Sequence, residues 1–178
     1  MLELPQEVVR RAEQVRLLIF DVDGVLTDGR LFFDDKGIEY KAFHSRDGHG
    51  IKMLLESGVD IAVITGRQSE TVNYRMKNLG IELVFQGQRD KLPAYEGLLE
   101  RLALAPEQVA YVGDDVVDLP VMRRVGLAVA VADAHPLVQR YAHWVTPRSG
   151  GSGAARDACE MLLQAHGKLD ALMQSYIA

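Results

Sequence analysis

Five short apolar runs separated by helix-like segments constrain this chain more than any other feature: LLIF from Leu17, VDIAVIT from Val59, IELVF from Ile81, VAYVG from Val109 and LAVAV from Leu127. A strand covered on one face alternates apolar and polar residues, whereas a strand buried on both faces is apolar nearly throughout. The alternation of such runs with helical segments predicts an α/β fold, a parallel sheet with helices on both faces. Helix starts fall between the runs at sensible places: Ser69 and Glu70 follow Arg67, Asp90 precedes Pro93, and Asp118 precedes Pro120. A chain of 178 residues, 48% of them hydrophobic, suffices for a single domain over 1–178 with one core.

Three segments lie outside this rhythm. Residues 1–16 place Leu4, Val8, Ala12 and Val15 among charges, an amphipathic helix rather than a signal peptide. Residues 30–44 hold two β-prone runs around Asp34, Asp35, Lys36 and Gly37, which predicts a β-hairpin. Its Leu31, Phe32, Phe33, Tyr40 and Phe43 are more apolar surface than a ribbon should expose, so a subunit interface is expected there. From about residue 148 a glycine-rich segment reads as a flexible linker before a closing helix, with one stripe at Ala158, Met161, Leu162 and Ala165 and another at Leu169, Leu172, Met173 and Tyr176.

Composition narrows the partners. A formal charge of -5 without a basic cluster argues against nucleic acid, and no apolar stretch approaches the roughly 18 residues of a membrane span. Cys159 is the single cysteine, so neither an internal disulfide nor a thiolate metal site is expected, and a cytoplasmic setting is the simple reading.

The strand ends carry the chemistry. Asp21 and Asp23 stand in DVDGVLT, directly after LLIF; Thr65, Gly66 and Arg67 end the second run; Lys91 opens a helix; Asp114, Asp115 and Asp118 follow the fourth. Ligands in parallel α/β folds bind beyond the carboxyl ends of the strands. Phosphate monoesters hydrolyse very slowly unaided, and a carboxylate nucleophile divides the reaction into two steps through an aspartyl phosphate. Bringing two anions together calls for a divalent cation, and Mg²⁺ is suited by a few carboxylates on loops, here Asp21 and Asp114. Thr65 and Lys91 can stabilise the transferring phosphoryl group, and Asp23 can protonate the leaving alkoxide and deprotonate water. Gly24 and Gly66 leave room for close backbone approach.

Together, DVDGVLTDG, VITGR, Lys91 and GDDVVD resemble the four motifs of the haloacid dehalogenase superfamily of phosphatases, from about Leu17 to Val145. The resemblance implies a Rossmann-like sheet, Asp21 as nucleophile and Asp23 as acid/base. It implies Mg²⁺ on Asp21, the Asp23 carbonyl and Asp114, with Asp118 as an outer partner; Asp115 and Asp118 remain interchangeable. The intervals between motifs leave no room for a cap domain, so a large substrate or another subunit must close the site.

The hairpin, the RDGHGI sequence after it and GGSGAAR late in the chain resemble the tetrameric 3-deoxy-D-manno-octulosonate 8-phosphate phosphatases. That implies a phosphorylated sugar acid as substrate, a homotetramer, and a place in lipopolysaccharide precursor synthesis. It also makes Gly150, Gly151, Gly153, Ala154 and Arg156 candidates for a mobile lid over a neighbouring site. Arg67 and, farther along the next helix, Arg75 are candidates for the substrate's carboxylate or hydroxyls. Arginine at position 67, where phosphatases of nine-carbon nonulosonates carry Glu, favours the eight-carbon acid over a nonulosonate 9-phosphate. A phospho-acceptor module is the reading of a different class, and Asp23, which promotes turnover, argues against it. His44 and His49 are candidates for the substrate entrance.

Overall fold

A computed structural model describes residues 2–177. The chain opens with α1 (Gln6–Gln14), which buries Val8 and Ala12, and enters β1 (Leu17–Phe20), buried at all four positions. A hairpin follows, β2 (Phe32–Phe33) and β3 (Glu39–Tyr40), and then α2 (Ser45–Glu56). The next elements are β4 (Asp60–Ile64), α3 (Glu70–Leu79), β5 (Leu83–Phe85), α4 (Leu92–Leu102) and β6 (Val109–Gly113). The chain ends through α5 (Leu119–Met122), β7 (Leu127–Ala130), α6 (Pro136–Tyr141), β8 (Trp144–Val145), α7 (Ala154–Ala165) and α8 (Leu169–Ser175).

Six strands form one parallel sheet in the order β5-β4-β1-β6-β7-β8. The five apolar runs are its first five strands; β8 is added at the edge, two residues too short to stand out as a run. The helices pack in two series, α1, α7, α2 and α3 in one and α4, α5 and α6 in the other. No further domain is inserted among the described residues. β1 lies between β4 and β6, with Phe20 opposite both Val63 and Val112. The chain runs outward from β1 through β4 to β5 and then returns to β6, so β1 and β6 flank the point where strand order reverses, the place where open α/β sheets bind ligands.

The hairpin pairs Phe32 with Tyr40 and Phe33 with Glu39. Asp34 Oδ1 accepts from the Lys36 and Ile38 N–H groups, and Gly37 adopts φ +79°, which fixes the turn. Leu31, Phe32, Phe33, Ile38 and Tyr40 are all exposed.

The glycine-rich segment packs closely against its own chain. Gly150 donates to Asp133 Oδ1 at 2.9 Å and Gly151 to the Val25 carbonyl at 2.9 Å. A methyl group on Gly150 would overlap the Gly24 carbonyl oxygen, and one on Gly151 would overlap the Thr27–Asp28 peptide. These glycines form a turn sealed against the loop after β1 of the same chain, because only a backbone without Cβ atoms fits there. Gly153, at φ +118°, starts α7, which buries Ala154, Ala155, Ala158, Cys159, Met161 and Leu162. The second stripe is less covered: Leu169 is buried, whereas Tyr176 is exposed.

Candidate active site

Asp21 leaves β1 with its N–H bonded to the Val112 carbonyl of β6 at 3.1 Å, and its Oδ1 accepts from Val22 N–H at 2.7 Å. Gly24, at φ +89°, turns the chain so closely over the end of β6 that an added Cβ would overlap the Asp114 carboxylate. Lys91, just before α4, reaches under both strand ends: its ammonium lies 3.0 Å from Asp21 Oδ1 and 2.6 Å from Asp118 Oδ1. A cavity of about 360 Å³ opens above, lined by Asp21, Asp23, Thr65, Gly66, Arg67, Lys91, Asp114 and Asp115, and by Gln88, Arg89 and Val117, which the sequence reading did not single out. A wider hollow of about 740 Å³ beside Val116, Leu119, Arg123 and Tyr141 has no carboxylate in its lining and no constellation of reactive groups.

Asp118 is completely buried, and protein donors occupy both its oxygens. Oδ1 accepts from Lys91 and from the Tyr111 hydroxyl, each at 2.6 Å, and Oδ2 from the N–H groups of Asp114 and Asp115 at 3.0 and 3.2 Å. Asp115 is exposed and caps its own turn by accepting from Val116 N–H. Burial therefore separates the two acids: Asp118 is bonded beneath the loop and to the lysine, while Asp115 is exposed at the cavity wall.

Carboxylate oxygens of Asp21, Asp114 and Asp118 come within 4.8 Å of one another. Burial first, and then the charges of Asp118 and its neighbours, push the Asp21 carboxyl up to about 7 and that of Asp114 up to about 8. Burial opposes charge on Lys91 too, but Asp21 and Asp118 outweigh it and raise its pKa, so it stays an ammonium. One lysine does not neutralise three clustered acids, and a divalent cation fits such an oxygen-rich, electron-donating set.

The comparisons with known proteins agree with this geometry. The sequence pattern of the haloacid dehalogenase-like hydrolases matches residues 84–156. The 3-deoxy-D-manno-octulosonate 8-phosphate phosphatase KdsC of Escherichia coli is 55% identical over 164 residues, 92% of this chain and 87% of that protein. The chain belongs to the 3-deoxy-D-manno-octulosonate 8-phosphate phosphatase family. Solved structures in this family superpose closely. One, from Moraxella catarrhalis in complex with a magnesium ion, a phosphate ion and a KDO molecule, has a TM-score of 0.95 at 38% identity, covering 97% of this chain and 99% of that one. The cobalt-bound phosphatase of Haemophilus influenzae has a TM-score of 0.90 at 42% identity, covering 94% and 99%.

Within this phosphatase fold several candidates lie away from their own chain's cavity. Arg75 places its guanidinium 5.8 Å from the Phe43 ring centroid and against Gly48. Arg156 is held by Glu160 at 2.6 Å, while its N–H donates to Asp47. Gly150, Gly151 and Gly153 pack against their own chain, at the loop after β1 and at the Arg148 side chain. His44 caps α2 by accepting from Arg46 N–H, and His49 stands edge-on to Tyr176 at 5.6 Å; neither lines the cavity.

Besides Gln88, Arg89 and Val117, three residues that hold the site's charged groups escaped the sequence reading. Tyr111, buried in β6, ties Asp118 to Lys91; it was legible only as a polar-tipped residue inside an apolar run. Lys41 and Glu39 come from the hairpin. The Lys41 ammonium contacts Asp23 Oδ1 and lies 3.0 Å from Glu39, which in turn receives Arg67 at 3.1 Å. The signal was period two: Glu39 and Lys41 share one face of the ribbon and Tyr40 takes the other.

Proposed function

We propose that this chain hydrolyses 3-deoxy-D-manno-octulosonate 8-phosphate to the free sugar acid and phosphate through an aspartyl phosphate on Asp21, serving lipopolysaccharide precursor synthesis in the cytoplasm. The observation that carries the proposal is the convergence of Asp21, Asp23, Thr65, Lys91 and Asp114 on one cavity in a chain 55% identical to a phosphatase of that specificity. No helix among the described residues is long and apolar enough to cross a membrane.

Asp21 attacks phosphorus, and Asp23 gives its proton to the departing sugar oxygen. Water then attacks the same phosphorus, Asp23 takes the water's proton, and Asp21 is released. Thr65 and Lys91 hold the phosphoryl oxygens, and the Asp118 and Tyr111 bonds fix Lys91 in place. Asp21, the Asp23 carbonyl and Asp114 would hold Mg²⁺, which supplies charge neutralisation for the anionic substrate. Arg67, at the cavity edge, is the cation assigned to the sugar acid.

The exposed apolar face of Leu31, Phe32, Phe33, Ile38 and Tyr40 supports burial of the hairpin between copies of the chain, in a homotetramer. The whole of residues 1–178 acts as one domain in this reading.

The raised carboxyls make metal binding proton-linked. Between the ordinary carboxylate range and about 7 to 8, folded Asp21 and Asp114 retain protons that the unfolded chain has lost. Their contribution to stability therefore falls as pH rises through that window. A cation that replaces the protons reverses this loss, so Mg²⁺ should raise the melting temperature more at about pH 8 than at about pH 6. Thermal melts with and without Mg²⁺ at both pH values check this; an equal rise at both would contradict it.

Steady-state kinetics on phosphorylated sugar acids, with Mg²⁺ and with chelator, test the substrate. Efficiency for the eight-carbon 3-deoxy acid should exceed that for a nonulosonate 9-phosphate by at least about tenfold, the scale of one charge-assisted contact. Equal efficiency on both, or activity surviving chelation, would sink the assignment.

A further inference from the structure

The hairpin has two chemically different faces. Tyr40 points outward and is 56% exposed, while the Lys41 side chain on the opposite face is only 2% exposed. Lysine is almost never buried to that extent unless paired, and here two carboxylates pair it: Asp23 Oδ1 and Glu39 Oε1. The other Asp23 oxygen, Oδ2, is buried without a hydrogen-bond partner; the Arg67 Nε is 3.9 Å away, beyond bonding distance. An orphaned buried carboxylate oxygen is costly and calls for an explanation.

We infer that Lys41 is a positioning residue for hydrolysis: by holding Oδ1 of Asp23 it leaves Oδ2 as the one oxygen that passes the proton. This rests on the aspartyl-phosphate reading above. In the first step the Asp21 oxygen bonds to phosphorus, the P–O bond to the sugar breaks, and the leaving oxygen takes the proton from Asp23 Oδ2. In the second step the water oxygen bonds to phosphorus, its proton goes to the same Oδ2, and the Asp21–phosphorus bond breaks. A carboxylate free to rotate would offer either oxygen in either step. The Lys41 contact removes that freedom, and Glu39, tied also to Arg67, anchors the lysine from the other side. The ribbon that bears the apolar outer face thus delivers a buried cation to the proton-carrying group on its inner face.

The test is Lys41→Met, which keeps an unbranched stem and removes the donor. With 3-deoxy-D-manno-octulosonate 8-phosphate, whose alkoxide must be protonated as it leaves, kcat should fall by about 100-fold while KM stays within about threefold. With p-nitrophenyl phosphate the phenolate leaves without a proton, so the first step should survive. A rapid burst of one p-nitrophenolate per chain, at no less than about a third of the wild-type turnover rate, should precede slow steady-state release, because water activation is still impaired. Sugar-phosphate turnover within about threefold of wild type, or loss of the burst, would overturn the inference. Should the methionine variant not fold, Lys41→Gln, with a shorter donor, takes its place: turnover above that of the Asp23→Asn variant with the burst retained supports the inference, and turnover equal to that variant's overturns it. Failure of the underlying reading is distinguishable, because it shows as unimpaired hydrolysis by Asp21→Asn in the otherwise wild-type chain.

Discussion

Asp21→Asn should lower turnover by more than about 10⁴-fold, the scale on which loss of a nucleophile is felt, and should leave the fold intact. The amide oxygen can still accept from Val22 N–H, as Asp21 Oδ1 does at 2.7 Å, and the volume is unchanged. Lys91 loses one carboxylate at 3.0 Å but keeps Asp118 at 2.6 Å. The substitution also removes a buried acid that burial and Asp118 hold at about 7. The metal-free variant should therefore lose less stability than wild type between about pH 5 and pH 8. Steady-state rates and melting curves across that range check both halves. Retained turnover would contradict the mechanism, and collapse of the fold would contradict the structural account.

Asp118→Ala should be the most destabilising substitution in the site. It strips four acceptor bonds at once, leaving the buried Lys91 ammonium, the Tyr111 hydroxyl and two backbone N–H groups short of a partner. Breaking a buried ion pair from one side costs about 3–5 kcal/mol, which for a chain of this size lowers the melting temperature by on the order of 10 °C. Turnover measured well below the new midpoint should still fall by about 100-fold, because Lys91 and the Asp114 loop lose the bonds that aim them. Asp115→Ala, on an exposed side chain, should cost less than about 1 kcal/mol. Similar destabilisation by the two substitutions would show that the division of labour between these acids is wrong.

The sheet and the core of the site were legible because each rests on a local, repeated signal. Runs such as LLIF and VAYVG can be apolar throughout only if both faces are covered, and Asp21, Thr65 and Asp114 were visible as polar groups placed where such runs stop. Lys91 was harder, since a lysine before a helix is ordinarily solvated; what buries it is the meeting of β1 and β6, which no local window contains. Asp115 and Asp118 were indistinguishable in sequence because their difference is one of burial, decided by the turn that aims Asp118 back under Asp114 N–H. Lys41 and Glu39 were missed because the hairpin was weighed for its apolar residues, and its period-two alternation was not followed to the inner face. The packing of the glycine segment was not legible for a related reason. Glycines suit flexible linkers, but they suit equally a backbone pressed against another backbone, and at Gly150 and Gly151 the loop after β1 occupies the space that side chains would need.

In the proposed mechanism the phosphoryl group passes through Asp21. A rapid-quench experiment with radiolabelled substrate, Mg²⁺ and excess protein measures it directly. Label should be bound covalently to the chain at Asp21 within the first turnover, approaching no more than about one per chain, chase into inorganic phosphate and be absent from Asp21→Asn. Full turnover with no protein-bound label at any time, or label that maps to another residue, would contradict it.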